Sequence, residues 1–250
     1  MTPMRVTMTG DAVLLAEYST LCVRKGHAVT VRFNPEERPD RRSGLLIKGV
    51  KTVLKPVRST DIALELTNTS TETKRKNVTE LDRILPPAVP LLTSSIVVSV
   101  AEQLAWVRHP GRMIGIGALP TLLGGELIEF ASSPATSPAT VQGARRFAES
   151  LGKDSAVIRD AVGLVLPRIL CALANEAYFA LGEDVAPRTA LDSAMKLGVH
   201  YPHGPLEWAE RIGVRHVHAV MAALYRAYGE ERYRVAPLLR EAAALDAVPR

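Results

Sequence analysis

Aromatic residues make up only 5% of this 250-residue chain, and few of them lie among its basic residues. That argues against a platform on which single-stranded nucleic acid would stack, because such platforms interleave aromatic rings with positive charge. Cysteine is nearly absent too. Cys22 and Cys171 both sit in apolar helical contexts, too few for a disulfide framework and without metal-type Cys/His spacing. They are expected to be buried free thiols of a cytoplasmic protein. Long apolar runs are missing: Ile96–Val100 and Leu164–Leu166 fall far short of the roughly 20 residues that cross a bilayer. The opening MTPMRVTMTGDA lacks the charged-then-apolar pattern of a secretory signal.

Hydrophobic residues make up 47% of the chain, enough to bury the core of one large domain or two modest ones. The net charge of +5 resides entirely in residues 1–92, where Arg24–Arg58 holds ten basic and three acidic residues. Such a patch attracts the phosphates of a nucleotide, of coenzyme A or of nucleic acid. Its plainer reading, and our expectation, is a solvated loop beside an edge strand guarded by Lys and Arg.

Read in order, the chain opens strand–helix–strand: Arg5–Met8, Asp11–Lys25 and, after a turn at Gly26–His27, Ala28–Phe33. This is how a dinucleotide-binding α/β domain begins. The glycine fingerprint after its first strand is incomplete. Positions that need small residues for a tight turn and close helix packing fall on Gly10, Ala12 and Leu15. The carboxylate that would hold the adenosine ribose falls on Phe33, while Arg32 and Arg38 favour a 2′-phosphate. Beyond the charged loop Asn34–Ser43, Leu45–Ile47 and Val50–Val57 read as a hairpin. A strand is expected at Asp61–Thr67, a helix at Thr73–Leu85 and a strand at Val89–Thr93. Past the segments Arg112–Ile116 and Leu127–Phe130 a helix is expected over Thr136–Leu151, capped by Ser137, then a buried strand at Ser155–Arg159.

After Gly163 the pattern becomes wholly helical. Leu166, Ile169, Leu170, Leu173, Ala174, Ala177, Tyr178 and Leu181 recur at i, i+3, i+4 spacing. Gly182 is expected to stop that helix, Pro187 to open the next and Gly198 to close it. Amphipathic helices follow over Arg215–Tyr228 and Val235–Leu245.

The segments ANEAYFAL, LDSAMKLG and YPHGPLEWAERIG resemble the helical C-terminal domain of the 3-hydroxyacyl-CoA dehydrogenases. In that family they read NEA, ID-x-AM-x-LG and P-x-GP-x-E-x-x-D-x-xG. The resemblance implies α/β architecture: a Rossmann-type doubly wound domain over residues 1–162. An all-α domain of the type shared by 6-phosphogluconate and 3-hydroxyacyl-CoA dehydrogenases would cover 163–250. It further implies a homodimer formed through the helical domain, an acyl-CoA-type ligand and NAD(H); the residue patterns above lead us to expect no metal, no membrane and no nucleic acid.

Site residues follow from the same resemblance. Ser94 in TSSI matches the family serine that bonds the substrate hydroxyl; taken alone it reads as a helix cap or turn residue. Gly10, Asp11, Ala12 and Lys74 fall at cofactor-contacting positions. In RMIGIGALPTLLGGELIEF the general-base histidine falls on Gly117, the following asparagine on Pro120, and the histidine-orienting glutamate is kept as Glu129. A further site asparagine falls on Pro167, and the link that helps hold coenzyme A in the family is short here. Oxidising a 3-hydroxy group needs a base for the hydroxyl proton, and losing one costs on the order of 10²–10⁴ in rate. A catalytically impaired family member is therefore expected, with Glu129 orienting nothing. The alternative is an active NAD(P)-dependent oxidoreductase with an altered catalytic set. The six histidines are expected to be exposed or capping.

Overall fold

A computed structural model describes residues 2–35 and 49–247. The expected opening is present: β1 (Arg5–Gly10), α1 (Ala12–Arg24) and β2 (Ala28–Phe33). Strand β3 is only Val50–Thr52 and runs parallel to β2, so Val50–Val57 is not the long arm of a hairpin; Leu45–Ile47 and Arg38 lie outside the described residues. Then come β4 (Ile62–Leu66), α2 (Thr71–Ile84), β5 (Leu91–Ser94), the single turn α3 (Val100–Gln103), β6 (Met113–Ile116) and β7 (Leu127–Ser132). Helix α4 (Pro138–Ser150) and strand β8 (Asp154–Arg159) complete the sheet region.

The eight strands order as β3-β2-β1-β4-β5-β6-β7-β8. All neighbours are parallel except β6 and β7, which run antiparallel. The central strand β4 (IALEL) is buried throughout, the near-continuous apolar run that a sheet covered on both faces requires. Strand β8 was expected to be buried; as the outermost strand it is half-exposed instead. Local chemistry sets the helix starts. Ser70 accepts a hydrogen bond from Thr73 N at 3.2 Å to cap α2, and Ser137 does the same for Thr140 N in α4.

The chain leaves β8 through Gly163 (φ 81°) and Leu164 (φ 48°) and becomes helical. Helices α5 (Leu166–Gly182), α6 (Arg188–Val199), α7 (Pro205–Ile212), α8 (Val214–Tyr228) and α9 (Pro237–Asp246) form the rest. Gly198 does not stop α6; that role falls to His200 in the left-handed region at φ 59°. The stripe on α5 divides: Ala174, Ala177 and Tyr178 are buried, whereas Leu166 and Ile169 face outward. The bundle does not fold around a separate core. Cys171, Ala174, Val217 and Leu224 join Ala63, Val78, Leu91 and Met113 in one apolar cluster spanning bundle and sheet.

Candidate active site

Strands β1, β4, β5 and β6 end along one edge, where the chain switches from building outward through β2 to returning through β4. Open α/β sheets bind ligands at such a switch. Gly10 is required here: at φ 150° a Cβ would meet the Leu66 backbone carbon at 2.5 Å.

Asp11 follows. It stands at the N-cap position of α1 yet its side chain caps nothing there. Its carboxylate crosses the switch point instead, accepting from Asn68 N at 2.8 Å, Asn34 Nδ2 at 2.9 Å and Thr69 Oγ1 at 3.1 Å. Asp11 is 1% exposed and Leu15 beneath it is fully buried. Asn34, just beyond β2, extends the network to Asn77 and Thr67. Arg32, which favoured a 2′-phosphate on sequence, is spent on Glu80 at 2.9 Å and Asn77 at 2.7 Å. A dinucleotide places its diphosphate against the first amides of α1, drawn by their partial positive charge. A buried carboxylate and a leucine at that turn do not fit the group.

Lys74, assigned to cofactor contact by resemblance, points into the protein. It is completely buried, paired with the equally buried Glu65, and donates to Thr67 O at 3.1 Å. Glu65 also accepts from Thr67 N at 3.0 Å and Thr93 Oγ1 at 3.1 Å. This cluster braces the ends of β4 and β5, and Lys74 offers no atom to a nucleotide.

Ser94 ends β5, also fully buried. It is neither a cap nor a turn residue: its hydroxyl donates to Asn68 Oδ1 at 2.6 Å, while Asn68 Nδ2 donates to Ala118 O at 2.8 Å. Beside this pair β6 runs out into Gly117, whose N–H donates to Glu129 O at 2.9 Å. A Cβ on Gly117 would lie 3.3 Å from Glu129 Cβ.

Glu129 corrects the expectation that it orients nothing. Its carboxylate accepts from Val165 N at 3.1 Å and Leu166 N at 3.0 Å, the unpaired amides opening α5. Val165 brings no capping side chain, and Pro167 needs no acceptor, so a carboxylate from the sheet satisfies that end. The space left among Tyr18, Gly117, Leu123, Glu129 and Leu166 is about 10 Å³, close to the least that holds one water.

One imidazole missed by sequence reasoning does reach this edge. His216 on α8 is 7% exposed, with Nδ1 4.0 Å from Asp11 Oδ2 and no hydrogen-bond partner of its own. Burial first, then the nearby Arg215, pushes its pKa down to about 4; Asp11 is too distant to reverse this. His27 is buried as well, accepting from Met4 N at 3.1 Å and meeting Ser150 at 3.0 Å. Helical spacing gave no signal for His216, because what buries it is another part of the chain. Cys22 and Cys171 are free and buried, and burial pushes the Cys22 thiol up to about 12.

The fold and this edge define a two-part, Rossmann-type protein of the kind on which nicotinamide-dependent dehydrogenases are built. More particularly, the chain belongs to the 3-hydroxyacyl-CoA dehydrogenase family. Residues 40–161 match the family's NAD binding domain and residues 163–250 its C-terminal domain. A 3-hydroxybutyryl-CoA dehydrogenase of Bradyrhizobium diazoefficiens is 35% identical over 72% of this chain and 61% of its own length, so the matched region spans less than two thirds of that relative. A probable 3-hydroxybutyryl-CoA dehydrogenase of Bacillus subtilis is 32% identical over 77% of this chain and 67% of its own. The fold is that of the crystal structure of (S)-3-hydroxybutyryl-CoA dehydrogenase PaaH1 from Ralstonia eutropha, with a TM-score of 0.76 at 24% identity over 100% of this chain and 96% of that one. No described helix is long and apolar enough to cross a membrane.

Proposed function

We propose that this chain is a family member that has lost alcohol oxidation and keeps the scaffold for a binding role. In this reading it acts as a cytoplasmic homodimer toward an acyl-CoA-type ligand or a partner protein. The observation that carries the reading is Gly117 beside Glu129: the place of the proton acceptor has no side chain, and the carboxylate that would orient one is bound to the start of α5. Asp11 and Leu15 at the turn into α1 support the same reading for the cofactor. Outward-facing Ile169 and Leu197, 51% and 80% exposed, support pairing of two copies through α5 and α6. The test is a thermal melt with NADH and with NADPH, alongside an assay of 3-hydroxybutyryl-CoA oxidation. A ligand that binds the native state raises the midpoint. Unchanged midpoints and no turnover are expected; stabilisation by NADH together with turnover would refute the reading.

A second reading is an NAD(P)-dependent oxidoreductase with an altered catalytic set. It is favoured by one observation, a neutral imidazole on the edge that holds Ser94, with no hydrogen-bond partner for its Nδ1 among the described residues. Should turnover appear, its loss in His216→Gln and survival in Glu129→Gln would identify that set.

A further inference from the structure

Between the loop that follows β4 and the helices α8 and α9 lies a cavity of about 240 Å³. Arg215 at the start of α8, Arg240 on α9, His218 and Thr69 line it, and three alanines keep the remaining wall small. Neither guanidinium group has an ion-pair or hydrogen-bond partner among the described residues. The crowding of positive charge is felt by the neighbouring imidazoles. Arg215 adds to burial in holding His216 down, and Arg240 does the same to His218. The carboxylate on the far side of Thr69, Asp11, is buried and already accepts three hydrogen bonds. Thr69 spends its proton on it, so the donors facing the cavity belong to the arginines and the histidine.

We propose that this notch binds the dianionic head of a small phosphate monoester. Two guanidinium forks that no described residue neutralises match one dianion in charge, and their planar donors match phosphate oxygens in geometry. The volume is below the roughly 300–1,000 Å³ of sites for drug-sized ligands. It therefore suits a phosphate on a short carbon chain rather than a whole dinucleotide.

Calorimetric titration with inorganic phosphate and with glycerol phosphate tests it, using the intact chain and Arg215→Gln, Arg240→Gln and Arg240→Lys variants. Saturable binding is expected, weakened by salt. Each glutamine variant is expected to lose about tenfold in affinity, with a smaller loss in Arg240→Lys, which keeps charge but not the fork. Arg240 is exposed on α9, so its variants decide the matter even if Arg215→Gln unfolds. Absence of binding, or binding indifferent to Arg240, would overturn the proposal. NADH serves as the third ligand. If it binds more tightly than glycerol phosphate and loses that affinity in Arg240→Gln, the phosphate belongs to a dinucleotide and the small-ligand assignment fails. Turnover of 3-hydroxybutyryl-CoA bears only on the loss of catalysis.

Discussion

Lys74 and Glu65 show how a charge assigned to a ligand by resemblance can instead belong to the protein interior. Both are fully buried and paired, and breaking such a pair leaves an uncompensated charge in the interior. Lys74→Met is expected to lower unfolding free energy in urea by about 3–5 kcal/mol. The double change Lys74→Met with Glu65→Leu should recover much of it. His216 makes a pH prediction. Its pKa falls from the usual 6.5 to about 4 on folding, so between those values the unfolded chain binds more protons than the folded one. Stability is fully present above pH 6.5 and is lost as pH falls toward 4, by on the order of 3 kcal/mol. His27, also held down by burial, acts with the same sign. His216→Phe should flatten the slope of urea midpoint against pH in that window. None of these partners is legible in the sequence, where Lys74 is assigned by resemblance alone and the histidines read as exposed or capping. Periodicity reports which side of an element is apolar, and says nothing about which distant polar atom arrives there.

Elements were far more legible than side chains. The bounds of β2 are those read from the sequence, and Ser137 caps α4 as its position before Pro138 suggests. The misses have local causes. Val50–Val57 looked like one strand, yet only Val50–Thr52 finds a neighbour. Gly198 looked like a stop, yet the chain turns at His200. The beginning of α5 was the deepest miss, because its cap comes from Glu129, 36 residues earlier on β7. Losing a side-chain cap costs about 0.5–2 kcal/mol. Glu129→Ala should lower stability by that amount and speed amide exchange in the first turn of α5, leaving α9 protected. Gly117→His is expected to restore no oxidation, since Glu129 remains committed to Val165 and Leu166. Its extra volume should cost about 1–3 kcal/mol, read as a lowered thermal midpoint.

For the whole molecule, the architecture was readable because each level agreed: strand–helix alternation, then pure helix, with glycine and proline at the seams. The family match begins only at residue 40, so the opening strand–helix–strand unit, where the fingerprint is degraded, lies outside it. The outward face of α5 and α6 makes the last prediction. On the pairing of two copies proposed above, the wild-type chain should scatter light as a dimer, and Ile169→Glu with Leu197→Glu as a monomer with an unchanged circular dichroism spectrum.

The carboxylate of Glu129 joins a strand of the sheet to the first turn of the bundle, and the apolar cluster beneath runs on from one to the other. A clam-like enzyme needs compliance at that joint so its jaws can part around a substrate and shut again. Here two hydrogen bonds to one carboxylate and a shared apolar cluster cross that joint, so parting the halves would have to break the first and open the second to water.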